Sequence, residues 1–397
     1  MNYHFSKRSN CVEDSFIVEV FKYLEDPEMI SFSGGFPNPN SFPVNELKNA
    51  SNKVFELDGK SVLQYSLTEG YLPLRQLISD RYKMVYDLDI SPDEILITSG
   101  SQQALDFISK TFLDPNDTVL IEEPSYLGAI QTFNSYEANL ITVQLDENGI
   151  NCDQVQTLIN QYHPKLIYVI PNFQNPSGVS YSEENRKEFM KIVKEHNLIV
   201  VEDDPYGELY FTKKKRTHLK LYLPEQVLLM GSFSKTISPG LRLGWVCAPK
   251  PIYQKLFTCK EASDLHSSYL DQRIIHQYLM DNNYDEHLSN IRILYSNKQR
   301  EMLLAINEYF PQSVKVYHSE GGMFLWVELP KHISSLDIFY EAVKAKVVFV
   351  PGDPFYVSKK HVNTFRLNYS NASSEEVSEG IKRLGNLIKD KLKQIAK

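Results

Sequence analysis

A chain of 397 residues, 42% hydrophobic and 23% charged, has ordinary globular composition and is long enough to bury a large core. Its net charge of -8 argues against nucleic acid as a main partner, because phosphate binding calls for a basic surface. Four cysteines, Cys11, Cys152, Cys247 and Cys259, are scattered without a C-x-x-C pair, which argues against a disulfide framework or a zinc site and predicts a cytoplasmic protein without a metal. The opening "MNYHFSKRSNCVEDSF" has no apolar signal core, and no apolar run is long enough to span a bilayer, so no membrane partner is expected.

"DSFIVEVFKYLED" (14–26) predicts a short helix, with Ile17, Val20, Phe21 and Leu24 on its core face and Val18 off it. "EILITSG" (94–100) predicts a strand running into a turn. "SQQALDFISKTFL" follows as a helix, with Ala104, Leu105, Ile108 and Phe112 on one face. Further strands are expected in "TVLIEEPSY" (118–126), "KLIYVIPNFQNPSG" (165–178), "LIVVEDDPYGELY" (198–210), "QVLLMGSFSK" (226–235) and "LRLGWVCAP" (241–249). Continuous apolar strands between helices predict an α/β fold whose mostly parallel, mixed sheet is buried on both faces. After about residue 275 the texture changes. A polar helical stretch leads to "GGMFLWVELP", "VVFVPGDPFY" and "TFRLNYS", and a final helix carries Val377, Ile381, Leu384, Ile388, Leu392 and Ile395 at helical spacing. The expected organisation is an N-terminal segment (1–45), a large domain (46–275) and a smaller α+β domain (276–397).

Five strands finish in polar clusters: Gly100-Ser101-Gln102, Glu123-Pro124-Ser125-Tyr126, Asn172 through Gly178, Asp203-Asp204-Pro205-Tyr206, and Ser232 through Lys235. Singly, each has an ordinary reading as a turn, a cap or a solvated charge. Ligands of open parallel sheets bind at the carboxyl edge of the strands, so the joint occurrence points to one site. Gly100, Ser101 and Gln102 open a helix whose amides and dipole suit a phosphate. Ser232 and Ser234 add hydroxyls, and Arg242 adds a permanently charged fork. No nucleotide-loop motif is present. Asp203 can hold a cationic ring nitrogen. Tyr206 and Asn175 can bond a ring oxygen, Tyr126 offers a stacking face, and Lys235 supplies an amine for an aldehyde. Together these describe pyridoxal 5'-phosphate.

The chain resembles the fold-type I, class I/II aminotransferases. Its motifs are closest to the aminoadipate/kynurenine-type branch, related to the aminotransferase-like domain of MocR-type regulators. The resemblance is carried by "ISFSGGFPNPNSFP", "LQYSLTEGYLPLR", "TSGSQQALD", "EEPSYLGAI", "PNFQNPSG", "EDDPYGELY", "GSFSKTISPGLRLGW", "GGMFLWVELP", "VPGDPF" and "FRLNYS". It implies that Lys235 bonds the cofactor aldehyde and that Asp203 keeps the pyridine nitrogen protonated. Asn175 and Tyr206 would hold the ring oxygen, with Tyr126 stacked on the ring. Ser101, Gln102, Ser232, Ser234 and Arg242 would form the phosphate cup. Arg366 would clamp the substrate carboxylate beside Gly35, and Tyr65 would reach the phosphate of a neighbouring subunit, making the enzyme a homodimer.

The implied activity is ping-pong transfer of an amino group from an L-amino acid to a 2-oxo acid such as 2-oxoglutarate. β-Elimination on the same scaffold is an alternative, since fold does not dictate reaction type. A MocR-like regulator is another, but the resemblance starts near residue 15 and leaves no room for a DNA-binding domain. Relatives acting on acidic side chains can carry an arginine in the 14–26 helix, which has none here. Val18 is either an isolated surface valine or a residue that looks into the cleft; the donor is expected to be aromatic, aliphatic or 2-aminoadipate-like, and the cleft reading favours aromatic or aliphatic donors over 2-aminoadipate.

Overall fold

The computed structural model describes residues 3–10, 16–212 and 216–395; Cys11 and the first residues of the helix expected at 14–26 lie outside that set. Within it, a short strand β1 (Ile30–Ser31) is followed by the eight strands of the large sheet. These are β2 (Ile95–Thr98), β3 (Thr118–Glu123), β4 (Asn139–Asp146), β5 (Gly149–Ile150), β6 (Leu166–Val169), β7 (Ile199–Asp203), β8 (Val227–Ser232) and β9 (Gly244–Cys247). Their spatial order is β2-β9-β8-β7-β6-β3-β4-β5.

The contacts β8·β7, β7·β6, β6·β3 and β3·β4 are parallel, whereas β9 runs antiparallel to both β2 and β8. The expected mixed α/β sheet is therefore present, and its central strands are buried on both faces. Such strands read as unbroken apolar runs because neither face meets water. The exception is β4, which lies toward the sheet edge with its exposed and part-buried positions interleaved. Its sequence carries the weaker pattern, and no strand was expected there.

The reversed strand β9 matters for the site. Because it re-enters the sheet from the edge where β8 ends, the connection from Phe233 to Leu243 stays at that edge. Lys235 and Arg242 are thereby kept beside the ends of β7 and β8. A Cβ on Gly244 would lie 2.8 Å from the Gly100 carbonyl carbon and the Ser101 nitrogen, so only glycine lets β9 pass this close to the helix start.

The C-terminal part forms a four-stranded antiparallel sheet in the order β10-β11-β14-β13, from β10 (Lys315–Tyr317), β11 (Phe324–Glu328), β13 (Val350–Pro351) and β14 (Thr364–Asn368). Strand β12 (Val347–Val348) pairs in parallel with β1. Beyond β1, the Phe32 amide donates to Val348 O at 2.8 Å and Phe32 O accepts from the Asn368 amide at 2.8 Å. The N-terminal segment is thus stitched to the C-terminal sheet. This accords with grouping the N-terminal segment with the C-terminal third, whereas the expected boundaries at 45 and 275 fall inside the helices Val44–Asp58 and Tyr269–Asp281. The closing helix, Ser374–Ile395, buries Val377, Ile381, Leu384 and Ile388, while Leu392 is half-buried and Ile395 is exposed.

Candidate active site

A cavity of about 300 Å³ opens at the carboxyl edge of the large sheet. Among its lining residues are Gly35, Ser101, Gln102, Tyr126, Asn175, Asp203, Tyr206, Ser232, Ser234, Lys235, Arg242 and Arg366. Every residue that the family resemblance assigns to the cofactor and substrate site, except Tyr65, is therefore gathered in one place. Tyr65 is 79% exposed and meets the edge of the His266 ring, with centroids 5.9 Å apart.

One end of the cavity suits an anion. The helix Ser101–Phe112 starts on Gly100, at φ 86° and ψ 165°, with no side-chain cap. That backbone region is essentially restricted to glycine. Two other sheet-flanking helices are capped by Asn151 and Ser182, whose side chains accept from Gln154 and Asn185 amides. The uncapped helix keeps its first amides free for a ligand. The Arg242 guanidinium lies across this end, donating to Ser99 O at 3.4 Å and Ser234 Oγ at 3.5 Å. Ser232 Oγ accepts from the Ser234 amide at 3.1 Å.

The middle suits a protonated ring. Asp203 is buried at the end of β7, and its Oδ2 accepts from the Tyr168 hydroxyl at 2.7 Å. Its Oδ1 is buried without a partner. Burial pushes the Asp203 carboxyl up to about 7, against the hydrogen bond from Tyr168. An unpartnered carboxylate oxygen lining a cavity is the acceptor that a ring N–H requires. Tyr126, whose hydroxyl donates to Gln102 Oε1 at 3.3 Å, supplies the aromatic wall. Asn175 Nδ2 lies 3.4 Å from the Tyr206 hydroxyl.

The far end suits a carboxylate. Arg366 is buried on β14, donating to Asn175 Oδ1 at 2.7 Å and to Ser33 O at 2.6 Å. Its guanidinium lies over the rings of Phe324 (4.2 Å) and Phe355 (5.1 Å). Its Nε has no partner, and burial pulls its pKa down to about 10. Such a cation, held among aromatic rings with capacity to spare, favours an incoming anion.

Lys235 stands between these ends. Its Nζ donates to Gly35 O at 2.8 Å. Burial, reinforced by the positive charges of Arg366 and Arg242, brings its pKa down to about 8. A lysine so placed has a sizeable neutral fraction near pH 8 and is correspondingly nucleophilic. The residues present therefore fit pyridoxal 5'-phosphate, with the phosphate at the helix end, the ring nitrogen at Asp203 Oδ1 and the aldehyde toward Lys235.

Sequence reasoning missed several participants. Tyr168 sat inside an apolar run, and only the parallel β6·β7 register, Tyr168 opposite Val201, sets it two positions from Asp203 on the same face. Phe36, Pro37, Ile170, Pro205 and Pro239 also line the cavity, and as apolar residues gave no chemical signal. Of the two readings of Val18, the structure favours the surface valine over the cleft residue: it is 55% exposed and does not line the cavity. Its helix, Phe16–Tyr23, sets Phe16 and Tyr23 against Phe339 and buries Val20. Two residues from Val20 is about 200° around a helix, which turns Val18 outward. The side chains of Ile17 and Phe21 lie outside the described set.

Comparison with known proteins agrees with the site. The family profile described as aminotransferase class I and II matches residues 27–384. The chain is 39% identical over 389 residues to the 2-aminoadipate transaminase of Thermus thermophilus, covering 97% of this chain and 96% of that protein. It is 36% identical over 397 residues to aromatic-amino-acid aminotransferase 1 of Thermococcus litoralis, covering 98% and 95%. The crystal structure of alpha-aminoadipate aminotransferase from Thermus thermophilus, complexed with N-(5'-phosphopyridoxyl)-L-leucine, superposes with a TM-score of 0.92 at 38% identity, covering 98% of both chains. The chain belongs to the class I and II aminotransferases and is a pyridoxal 5'-phosphate-dependent transaminase of fold type I.

Proposed function

We propose that the enzyme transfers amino groups from L-amino acids with apolar or aromatic side chains to 2-oxoglutarate. The observation that carries the site reading is the unpartnered Asp203 Oδ1 in the same cavity as Lys235 and Arg366. When bound, the cofactor supplies the electron sink that acidifies the substrate Cα proton. Arg366 holds the substrate α-carboxylate in a charge-assisted pair, with Asn175 beside it fixing the fork. Lys235 Nζ would take the proton from Cα and hold it, a general acid–base role suited to a pKa near operating pH. Asp203 Oδ1 would hold the ring N–H, while Tyr168 holds the other oxygen.

The donor preference is supported by the inventory of charge. The cations lining the cavity are Lys235, Arg242 and Arg366, and each has a role in this reading. A second substrate carboxylate finds no further cation there, and burying an unpaired charge is costly; the second carboxylate of 2-oxoglutarate is then held by an uncharged polar group or stays in contact with solvent. The test is a panel of amino acids with 2-oxoglutarate, scored by glutamate formation. Leucine and phenylalanine should exceed 2-aminoadipate in kcat/KM. The opposite order refutes the preference, and pyruvate or ammonia release without an oxo-acid acceptor would move the assignment to β-elimination.

The reading includes a homodimer. Between residues 44 and 72, Val44, Leu57, Leu63, Tyr65, Leu67 and Leu72 are each more than half exposed. So many large apolar side chains in one segment mark a surface that a second copy covers. Tyr65 then completes the partner's phosphate site. Mixing the Lys235→Ala and Tyr65→Phe proteins should give more activity than the sum of the two, because one site per mixed dimer is whole. A sedimentation profile of a monomer would refute this. A cytoplasmic location accords with the free thiols of Cys152, Cys247 and Cys259. Among the described residues no helix is long and apolar enough to cross a membrane.

A further inference from the structure

Beside the uncapped end of the Ser101–Phe112 helix sits an ion pair whose lysine is buried and whose carboxylate is 26% exposed. Lys260 is fully buried, and its Nζ donates to Asp264 Oδ1 (2.9 Å), Asp264 Oδ2 (3.0 Å) and Ser267 Oγ (2.9 Å), with Gln103 Oε1 at 3.4 Å. Gln103 is the third residue of the helix. Its Oε1 accepts from the Ser99 amide at 2.8 Å, and its Nε2 donates to Asp264 Oδ2 at 2.8 Å. Ser99 in turn offers its carbonyl to Arg242 Nη2 at 3.4 Å and its hydroxyl to Ser267 Oγ at 3.2 Å.

The third-residue glutamine reaches one residue further back than in a capping box, to the Ser99 amide that precedes the Gly100 cap. Gly100 offers no side chain to the first amides. The Gln103 bond therefore stiffens the approach to the helix without occupying those amides. It also brings the Asp264 carboxylate within hydrogen-bond distance of the third helical side chain. An anion there competes with a phosphate for the same positive helix end. Lys260 cancels that anion from within the protein.

We propose that Lys260 is a positioning residue for the cofactor phosphate, neutralising Asp264 and fixing the Gln103 amide that holds Ser99. The proposal rests on the reading of this helix end as the phosphate site. It predicts that breaking one ion pair from its two sides has unequal consequences. Without Lys260 an uncompensated carboxylate repels the phosphate; without the Asp264 charge that repulsion has no source, and phosphate affinity holds or rises.

The test is the affinity of cofactor-free protein for pyridoxal 5'-phosphate and for pyridoxal, which lacks the phosphate. Lys260→Met should weaken binding of the phosphorylated form about tenfold and leave pyridoxal nearly unchanged. Asp264→Asn, which keeps Lys260, should hold or raise the preference for the phosphorylated form. The double variant should recover most of the loss. Ser267→Ala, a milder change, should show a small loss in the same direction as Lys260→Met, and reads the same network should Lys260→Met fold poorly. Equal losses for both ligands, or losses of the same sign from Lys260→Met and Asp264→Asn, would overturn the proposal. A parent protein with no preference for the phosphorylated form would overturn the phosphate site itself, a distinct outcome.

Discussion

The Tyr168 hydroxyl donates to Asp203 Oδ2 at 2.7 Å across adjacent parallel strands, leaving Asp203 Oδ1 buried and unpartnered at the cavity. One oxygen is tied down by the protein and the other is reserved for a ligand. Removing the phenol should leave the carboxylate less well aimed and less readily ionised. Tyr168→Phe is expected to cost about 1.5–3 kcal/mol in kcat/KM, the usual worth of a hydrogen bond to a charged group. It should do so with every amino donor, since the partner is the cofactor. Rates that differ from the parent by less than twofold would show that Asp203 needs no such support.

Lys235 is the expected covalent anchor. The holoenzyme should show a visible absorption band that borohydride bleaches, with the label recovered on this residue. Lys235→Ala should retain cofactor and lose nearly all transamination. Turnover retained in that variant would refute the assignment.

Arg366 makes two charge-assisted bonds through a planar fork between Phe324 and Phe355. A lysine cannot reproduce that geometry. Arg366→Lys should lower kcat/KM by about 2–4 kcal/mol with all donors while cofactor binding survives. Loss of cofactor with amino-acid affinity intact would instead place Arg366 at the phosphate.

Gly100 tests the anion end. At φ 86° and ψ 165° a side chain is strained, and a Cβ would sit 2.6 Å from Arg242 Nη2. Gly100→Ala should cost about 1–3 kcal/mol of stability. It should also weaken pyridoxal 5'-phosphate more than pyridoxal, because Arg242 is displaced. Equal weakening of the two would show that the strain acts on the fold alone.

The pH dependence of cofactor-free stability follows from three buried groups. Burial raises the Asp203 carboxyl from 3.8 to about 7 and the Glu122 carboxyl from 4.5 to about 7. Between about pH 4 and 7 the folded chain therefore binds more protons than the unfolded one, and these groups make stability fall as pH rises. Lys235, lowered from 10.5 to about 8, has the opposite sign in another window. There the unfolded chain binds more protons, so its contribution rises with pH between about 8 and 10.5. Thermal midpoints from pH 4.5 to 7 should fall less steeply in Asp203→Asn than in the parent. Superimposable slopes would mean that Asp203 is ionised throughout.

Much of this was legible because chemistry and periodicity coincide in the sequence. The strands β2, β3, β6, β7 and β8 are apolar on both faces and end abruptly in polar clusters. A sheet buried between helices places such ends on one edge. Lys235, Asp203 and the Gly100-Ser101-Gln102 turn could be read together for that reason, and so could Arg366 once the family pattern was seen. The motifs likewise carry the resemblance to the aminotransferase class without reference to the fold.

Other relationships depend on register and direction, which local sequence does not encode. The reversal of β9 keeps Arg242 near the end of β8, and nothing in "LRLGWVCAP" states a strand's direction. Tyr168 reaches Asp203 because Tyr168 pairs with Val201 and not with a neighbour; a one-residue slip would turn it to the opposite face. The sequence left Val18 between the surface and the cleft because the phase of a short helix is set by what it packs against, here Phe339, more than 300 residues away in sequence. The Lys260–Asp264–Gln103 cluster joins two helices whose contact is purely tertiary. Sequence alone determined which groups converge at a sheet edge; tertiary packing decided which atoms are already satisfied and which, such as Asp203 Oδ1, are left for a ligand.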